Sequence, residues 1–460
     1  MEKAKKHIEW GTVSVIWALA WPTMLEQLMQ TAVQYIDTAM VGSLGTQATA
    51  AVGSTTTVNW LISSSISALS IGFLAFIAKS CGADDRESAS KAVGQAVLVT
   101  LAVGTFFTAV TLGLSSRVPV WMQVDKSIRS LASRYFFILY LPMLPRTASI
   151  IFGTVLRAAG DTRTPMKVGV AVNIVNVVLN FLLIYPTRNV SWFGLSFKMF
   201  GMGWGVLGAA AASAAAFTVG GIYITVVLWK HPVVSPKGRS IAPDRSILMP
   251  CLKIALPNML QRFGTSFGYV AFASMINSVG EIATAAHTIA NTVESAFYIP
   301  GFGMQTAAAT LTGNAYGAKD KEGMNSITRM FIVIEMCLMT LSGAALFFSA
   351  QPLVSLFSKS DQVIALGTSV LRMVALSEPL YGVALITEGF MMGVGKTKTP
   401  FVYNIIGMWG MRILGTFICT QLLDGGLVAA WGCMIAHNVL LCILYFITYI
   451  RGNWNPLQKN

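Results

Sequence analysis

Four polar residues, Glu26, Gln30, Gln34 and Asp37, follow one another at spacings of 4, 4 and 3 and so share one face of a predicted helix. A second predicted helix carries Asn173, Asn176 and Asn180, again on one face, in a segment otherwise rich in Val, Ile and Leu. Amide oxygens beside a carboxylate can form a cage of hard oxygen ligands for a small cation. They can equally hold a carboxyl group whose proton comes and goes. The structural alternative is that the asparagines only join neighbouring helices by hydrogen bonds. Ser213 ends the small-residue stretch Gly205–Ser213, which lets helix backbones approach closely and reads as a packing surface.

These residues lie in elements whose composition identifies their solvent. Apolar residues make up 54% of the 460-residue chain, charged residues only 11%, and glycines number 41, so the chain has more apolar surface than a soluble domain could bury. Twelve apolar stretches each approach or exceed the roughly 20 residues needed to cross a bilayer as a helix. They cover 12–40, 51–78, 92–114, 130–154, 166–185 and 204–229, then 252–276, 284–312, 326–349, 364–391, 401–421 and 427–450. None alternates with period two, which excludes a closed barrel. The expected fold is an all-α integral membrane protein. A bare carboxylate at the centre of such a span costs about 2.5–3.5 kcal/mol on insertion scales, so Asp37 must face protein or water.

The chain also repeats itself at a constant offset of 235 residues. Pro22, Met40, Ser43, Gly45, Ala48-Thr-Ala-Ala51 and Gly82-Ala83 recur as Pro257, Met275, Ser278, Gly280, Ala283-Thr-Ala-Ala286 and Gly317-Ala318. Gly160-Asp-Thr-Arg-Thr-Pro165 recurs as Gly395-Lys-Thr-Lys-Thr-Pro400. Duplication in a hydrophobic chain is a mark of transporters. Six spans per repeat is an even number, so the halves are parallel repeats: an N-lobe over 1–229, a cytoplasmic linker over 230–250 and a C-lobe over 251–460, with the substrate path between the lobes.

The formal charge of +13 is a topology signal and not a nucleic-acid footprint. Most lysines and arginines fall on the predicted inner side, among them Lys79, Arg86, Lys91, Arg157, Arg163, Lys237, Arg239, Arg245, Lys319, Lys321 and Lys459. The opposite side holds Arg117, Lys126, Arg129, Arg134, Arg188, Lys198, Lys359 and Arg372. The asymmetry places both termini in the cytoplasm of a plasma or inner membrane. The six cysteines show no close pairing motif, and the four histidines lack acid or nucleophile partners, so no disulfide framework, metal site, cofactor or enzyme is expected.

Shifted by 235, the first-helix stripe lands on Gln261, Thr265, Tyr269 and Phe272. The second half has kept the fold and lost both carboxylates, which points to an ion site specialised in the first half. The second half has acids of its own in Glu294, Glu335, Glu378 and Glu388, with Arg262 and Arg412. Glu294 precedes Pro300-Gly-Phe-Gly303, an expected helix break lining a cavity. Glu388 with Arg412 is expected to form a structural ion pair. Gln261, Tyr269, Glu294 and Met304 are the candidate substrate-cleft residues, and the Met and aromatic content suits a surface that repacks around varied ligands.

Pro22 with Asp37-Thr-Ala-Met-Val-Gly-Ser-Leu-Gly45, Leu156-Arg-Ala-Ala-Gly-Asp-Thr162 with Pro165, the Gly205–Ser213 stretch, and Phe302-Gly-Met-Gln-Thr-Ala-Ala with Gly317 resemble the multidrug and toxic compound extrusion (MATE) family. The resemblance implies two six-helix lobes around a V-shaped central cleft, alternating access, and export of cationic or amphipathic compounds by a monomer in exchange for H+ or Na+. It implies coupling at Asp37, with Asn176, Asn180 and Ser213 in the same network, while Glu26, Gln30, Gln34 and Asn173 are the supporting polar face given by the helical spacing. Many relatives carry aspartate where Asn180 stands. A lipid-linked glycan flippase of the same superfamily is the alternative, and would want a strongly cationic cleft.

The topology makes one expectation testable at once. Cysteines placed at Ser43 and Ser278 should react with a membrane-impermeant thiol reagent applied outside intact cells, and cysteines at Asp85 and Asp320 should not. External labelling of the second pair would overturn the orientation.

Overall fold

The computed structural model describes residues 2–122, 124–192 and 195–458; Lys459, counted above with the inner charges, lies outside them. In the first half the helices are α1 (Glu2–Gly42), α2 (Thr46–Gly82), α3 (Arg86–Leu114), the single turn α4 (Val118–Trp121), α5 (Arg129–Tyr140), α6 (Met143–Ala158), α7 (Arg163–Leu183) and α8 (Val206–Lys230). In the second half they are α9 (Arg245–Asn277), α10 (Glu281–Gly317), α11 (Lys321–Phe357), α12 (Asp361–Ala375), α13 (Glu378–Gly393), α14 (Lys398–Ile405), α15 (Leu414–Phe417) and α16 (Gly426–Ile450). The turns Ile406–Ile413 and Ile418–Leu422, on either side of α15, are π-helical. Each predicted span falls mostly on helix, with 130–154 and 364–391 each interrupted by a two-residue turn. By length and composition, seven helices among the described residues can cross a membrane, and two bent pairs, α5 with α6 and α12 with α13, raise the number to nine. The long helices α1, α9 and α10 fall outside that set and carry Glu26 and Asp37, Gln261 and Tyr269, and Glu294.

The sequence repeat reappears in the backbone. The bend between α5 and α6 is 50° and that between α12 and α13 is 52°, at positions 235 apart. Asp84 and Lys319 both adopt positive φ, of 53° and 55°. Gly160 and Gly395 follow at 87° and 78°, a conformation that costs glycine nothing. Each starts the turn into the next helix, where Pro165 and Pro400 sit in the first turn without removing a needed donor. Asp320 caps α11 by accepting from the Gly323 amide at 2.8 Å, which satisfies one of the orphan N–H groups of a helix start.

The closest approach between equivalent elements is made by glycines. A Cβ on Gly82 would lie 2.0 Å from the Asn314 carbonyl oxygen, and one on Gly317 would lie 1.8 Å from the Lys79 carbonyl oxygen. Lys79 and Asn314 are themselves repeat equivalents, as are Ala78 and Gly313, whose Cβ positions would be 2.7 Å apart. The C-terminal ends of α2 and α10 thus cross through a reciprocal contact between repeat-equivalent positions.

Two compact units result. One comprises Met1–Gln27, Leu74–Arg86 and Met249–Asn460, and the other Leu28–Phe73 and Glu87–Leu248. The first is built on an apolar cluster that includes Ile16, Leu19, Ala20, Met304, Phe331, Phe390 and Tyr445. In the second, α8 packs against α5, α6 and α7.

Two expectations are corrected. The Pro300 segment does not break: α10 runs continuously from Glu281 to Gly317. Pro300 has no N–H to donate, and in the turn it disturbs the Ser342 hydroxyl of α11 donates to the Phe297 carbonyl at 2.6 Å. Gly301 and Gly303 serve close packing, since their Cβ atoms would lie 2.8 Å from Glu335 Oε1 and 2.7 Å from Met24. The fold is also not purely helical. Pro186–Trp192 and Leu195–Met202 pair as an antiparallel hairpin, β1 and β2, in a connection whose Val, Trp and Phe residues favour extended backbone.

The glycine crossing yields a prediction. Gly317→Ala and Gly82→Ala place a methyl group inside a backbone carbonyl's contact radius and should each destabilise the purified protein by at least the about 1–3 kcal/mol of overpacking. Gly432→Ala, which meets no atom within 4 Å, should leave the thermal unfolding midpoint within the small range of surface changes.

Candidate ion and substrate sites

The close approach of α7 and α8 begins at Gly208, whose absent Cβ would lie 2.4 Å from the Leu183 carbonyl oxygen. This brings Ser213 to the asparagine face of α7, where Asn176 Nδ2 donates to Ser213 Oγ at 3.0 Å. Asn180 Nδ2 donates to Asn176 Oδ1 at 3.0 Å and to Asp37 Oδ1 at 2.5 Å. The four predicted coupling residues therefore form one chain, Asp37–Asn180–Asn176–Ser213, across three helices. The end of α1 is fixed to the end of α7 by Ser43 Oγ and Tyr185 OH, 2.8 Å apart. Asp37 is half-buried, Asn176 is 5% exposed and Asn180 1%. Asn180 spends both contacts on its nitrogen, and its Oδ1 is buried without a hydrogen-bond partner among the described residues. That spare oxygen beside a carboxylate is what either a proton donor or a cation needs.

The supporting residues divide. Asn173 is buried with an unpartnered Nδ2, outside the chain of bonds. Gln30 and Gln34 are exposed, and Glu26 is half-buried in the other compact unit.

A second polar cluster occupies the unit containing α9 to α16. Gln261 Nε2 donates to Glu388 Oε1 at 2.7 Å, and Arg262 Nε donates to Asn258 Oδ1 at 3.2 Å. Arg412 lies over the rings of Tyr269 and Phe272 at 5.2 and 5.4 Å. The expected Glu388–Arg412 pair is thus replaced by an amide and by two aromatic faces. Ion pairs within 4 Å among the described residues include Arg86–Asp84 and Lys91–Glu87, both exposed. Glu294 is 7% exposed, Glu378 2% and Glu335 0%. Neither oxygen of Glu335, nor Oε2 of Glu378, has a partner among the described residues. Tyr269 is 48% exposed, whereas Met304, expected in the cleft wall, is fully buried in the apolar cluster of its unit.

Sequence reasoning missed the aromatic side of this cluster. Tyr298 packs edge-on to Tyr381 at 6.0 Å, and Trp431 Nε1 donates to His287 Nδ1 at 3.2 Å. Arg146, a basic residue inside an apolar span by sequence, is buried in the first half, where its Nη2 donates to Ser63 Oγ at 2.7 Å and its guanidinium lies 4.6 Å from the Phe217 ring centre. Cys419 and Cys433, with no motif linking them, have sulfurs 3.8 Å apart.

The repeat makes the contrast between the halves specific. Asp37, Asn176 and Asn180 are matched by Phe272, Met411 and Gly415. The second copy has exchanged a carboxylate–amide contact for a guanidinium over an aromatic ring, and does so on a π-helical turn, a geometry found often at functional positions.

Comparison with known proteins agrees with this architecture. Over 436 residues the chain is 27% identical to the probable multidrug resistance protein NorM of Thermotoga maritima, covering 95% of this chain and 92% of that protein. It is 23% identical to the probable multidrug resistance protein YoeA of Bacillus subtilis, over 99% of this chain and 96% of the relative. An outward-facing multidrug resistance MATE family transporter of the MOP superfamily shares the fold with a TM-score of 0.89 at 24% identity, over 97% of this chain and 96% of that one. The profile of the MatE family matches residues 22–182 and again 257–418, once in each repeat, and the chain belongs to this family of multidrug and toxic compound extrusion transporters.

Proposed function

We propose that this protein is a secondary active antiporter that exports cationic or amphipathic small molecules by alternating access, with an inward H+ or Na+ bound at Asp37. Twelve spans in two six-helix lobes, with both termini in the cytoplasm, are the architecture this reading uses. The observation that carries it is the bonded chain from Asp37 through Asn180 and Asn176 to Ser213.

The chain of bonds supplies a mechanism. With Asp37 ionised, its oxygen accepts from Asn180 Nδ2. A protonated Asp37 has a hydrogen to donate, and the spare acceptor beside it is Asn180 Oδ1, which reaches it by rotation of the amide. That rotation removes the nitrogen shared with Asn176 and so alters the link to Ser213. A sodium ion acts on the same atoms by drawing the carboxylate and the amide oxygens together as ligands. Either event changes how α1, α7 and α8 pack. The two states of the transporter shift only by the ion's differential affinity for them. Asn180 does not titrate, so the coupling charge rests on Asp37.

The family relationship and the multidrug-resistance names of the relatives support drug export. The glycan-flippase alternative needs cations offered to a diphosphate. Arg146 and Arg412 lie against aromatic rings and Arg262 against Asn258, which does not favour it.

Two predictions follow from these sites. In proteoliposomes, Asp37→Asn should abolish drug efflux driven by a proton or sodium gradient while largely sparing equilibrium drug binding. Adding Asn180→Asp to that variant should restore part of the coupling, because the two side chains are in contact. Full gradient-driven efflux by Asp37→Asn would sink the assignment. Separately, Glu294→Gln should weaken transport of cationic drugs more than that of neutral ones. Equal losses would make Glu294 a packing residue.

A further inference from the structure

The linker between the repeats is a built structure. Gln95 of α3, 2% exposed, clamps it at two points: Nε2 donates to the Ala242 carbonyl at 2.8 Å and Oε1 accepts from the Asp244 amide at 3.0 Å. Ser90, five residues earlier, donates to the Ser235 carbonyl at 2.7 Å and accepts from Arg239 Nε at 3.2 Å. Gly94 lies beneath the strap, and a Cβ there would stand 2.9 Å from the Ser240 carbonyl oxygen. The strap and the start of α3 enclose a cavity of about 430 Å³ whose lining includes Lys91, Gln95, Arg239, Ser240, Asp244 and Arg245.

Three cations and one carboxylate face this space. The Ser246 hydroxyl, at 2.6 Å, and its amide, at 2.8 Å, both donate to Asp244 and hold its carboxyl below the usual range, so it is ionised at neutral pH. The wall keeps a positive excess. Lys91 pairs with Glu87 at 2.9 Å, but an exposed i,i+4 pair is worth only about 0.3–0.5 kcal/mol and yields to a stronger anion. Arg239 is anchored through Nε, which leaves its terminal amino groups for a ligand. Guanidinium groups match phosphate oxygens in pairs. Ile241, 49% exposed on the strap, sets an apolar side chain beside the charged wall. Basic pockets on the cytoplasmic side of membrane helices take anionic lipid headgroups.

We propose that the cavity between α3 and the linker strap binds a phosphate-bearing anion, either the headgroup of an anionic phospholipid or a free phosphate, through Lys91, Arg239 and Arg245. Nothing in the antiport mechanism requires this site, so the two readings fail independently.

The test uses the purified full-length protein in nanodiscs. Native mass spectrometry compares retention of phosphatidylglycerol and phosphatidylcholine, and thermal unfolding in phosphatidylcholine discs is followed with and without millimolar inorganic phosphate. Lys91→Gln with Arg245→Gln should weaken the anion at least about fivefold, as each cation near an anionic surface implies. Asp244→Asn should strengthen it, a direction that damage to folding does not mimic. Selective loss of phosphatidylglycerol in the double variant identifies a headgroup site. A phosphate-dependent rise in unfolding temperature, lost in the double variant and without lipid selectivity, identifies a soluble phosphate. Equal behaviour of the wild-type and double-variant proteins in both assays overturns the proposal.

Discussion

Hydrocarbon offers no hydrogen bonds, so each polar group that enters a membrane span must find its partner inside the protein. Most of the described polar groups follow this constraint, with Glu335, Glu378 and Asn173 among the exceptions. The backbone is helical almost throughout, and serine and threonine hydroxyls in the spans turn back to carbonyls one turn earlier, as at Thr100, Thr147 and Thr387. Where Pro300 removes a donor, Ser342 brings a hydroxyl to the disturbed turn. The Asp37–Asn180 contact is the same rule applied to a charge, with an amide reaching the carboxylate at 2.5 Å. What the rule leaves over is informative: an unpartnered Asn180 Oδ1 next to the one acid of that network.

Duplication set the frame, and divergence within it set the chemistry. Backbone features that depend on local sterics, such as the paired positive-φ residues and the 50° and 52° bends, were kept in both copies. The reciprocal contacts of Gly82 and Gly317 were also kept, because neither helix can change there without striking the other's backbone. Side chains facing polar interiors were free to differ. In one copy an amide ladder runs along a regular α7; in the other the matching helix is π-helical and presents Arg412 to Tyr269 and Phe272. A carboxylate binds and releases a small cation or proton. The second copy thus sets a guanidinium over aromatic rings where the first joins a carboxylate to an amide.

The sequence by itself determined the helices, the repeat, the polar faces of α1 and α7, and the family. Those properties rest on composition and on spacing along one chain: apolar stretches set spans, and a separation of 3 or 4 residues sets a common azimuth. The tertiary structure alone decided which polar groups meet. Asp37 found Asn180, while Glu26, on the same predicted stripe, belongs to the other compact unit. Glu388 took Gln261 and Arg412 took two rings, although charge alone suggested they take each other. Pro300 stayed within a continuous helix, with the Ser342 hydroxyl of the neighbouring α11 donating to the Phe297 carbonyl in the same turn. A linker that reads as a polar, proline-rich connection became a strap over a basic cavity through Ser90, Gly94 and Gln95, which lie more than a hundred residues away. Spacing within a helix fixes a direction but not the partner across the interface, and that partner depends on helix crossings and side-chain reach that exist only once the chain has packed.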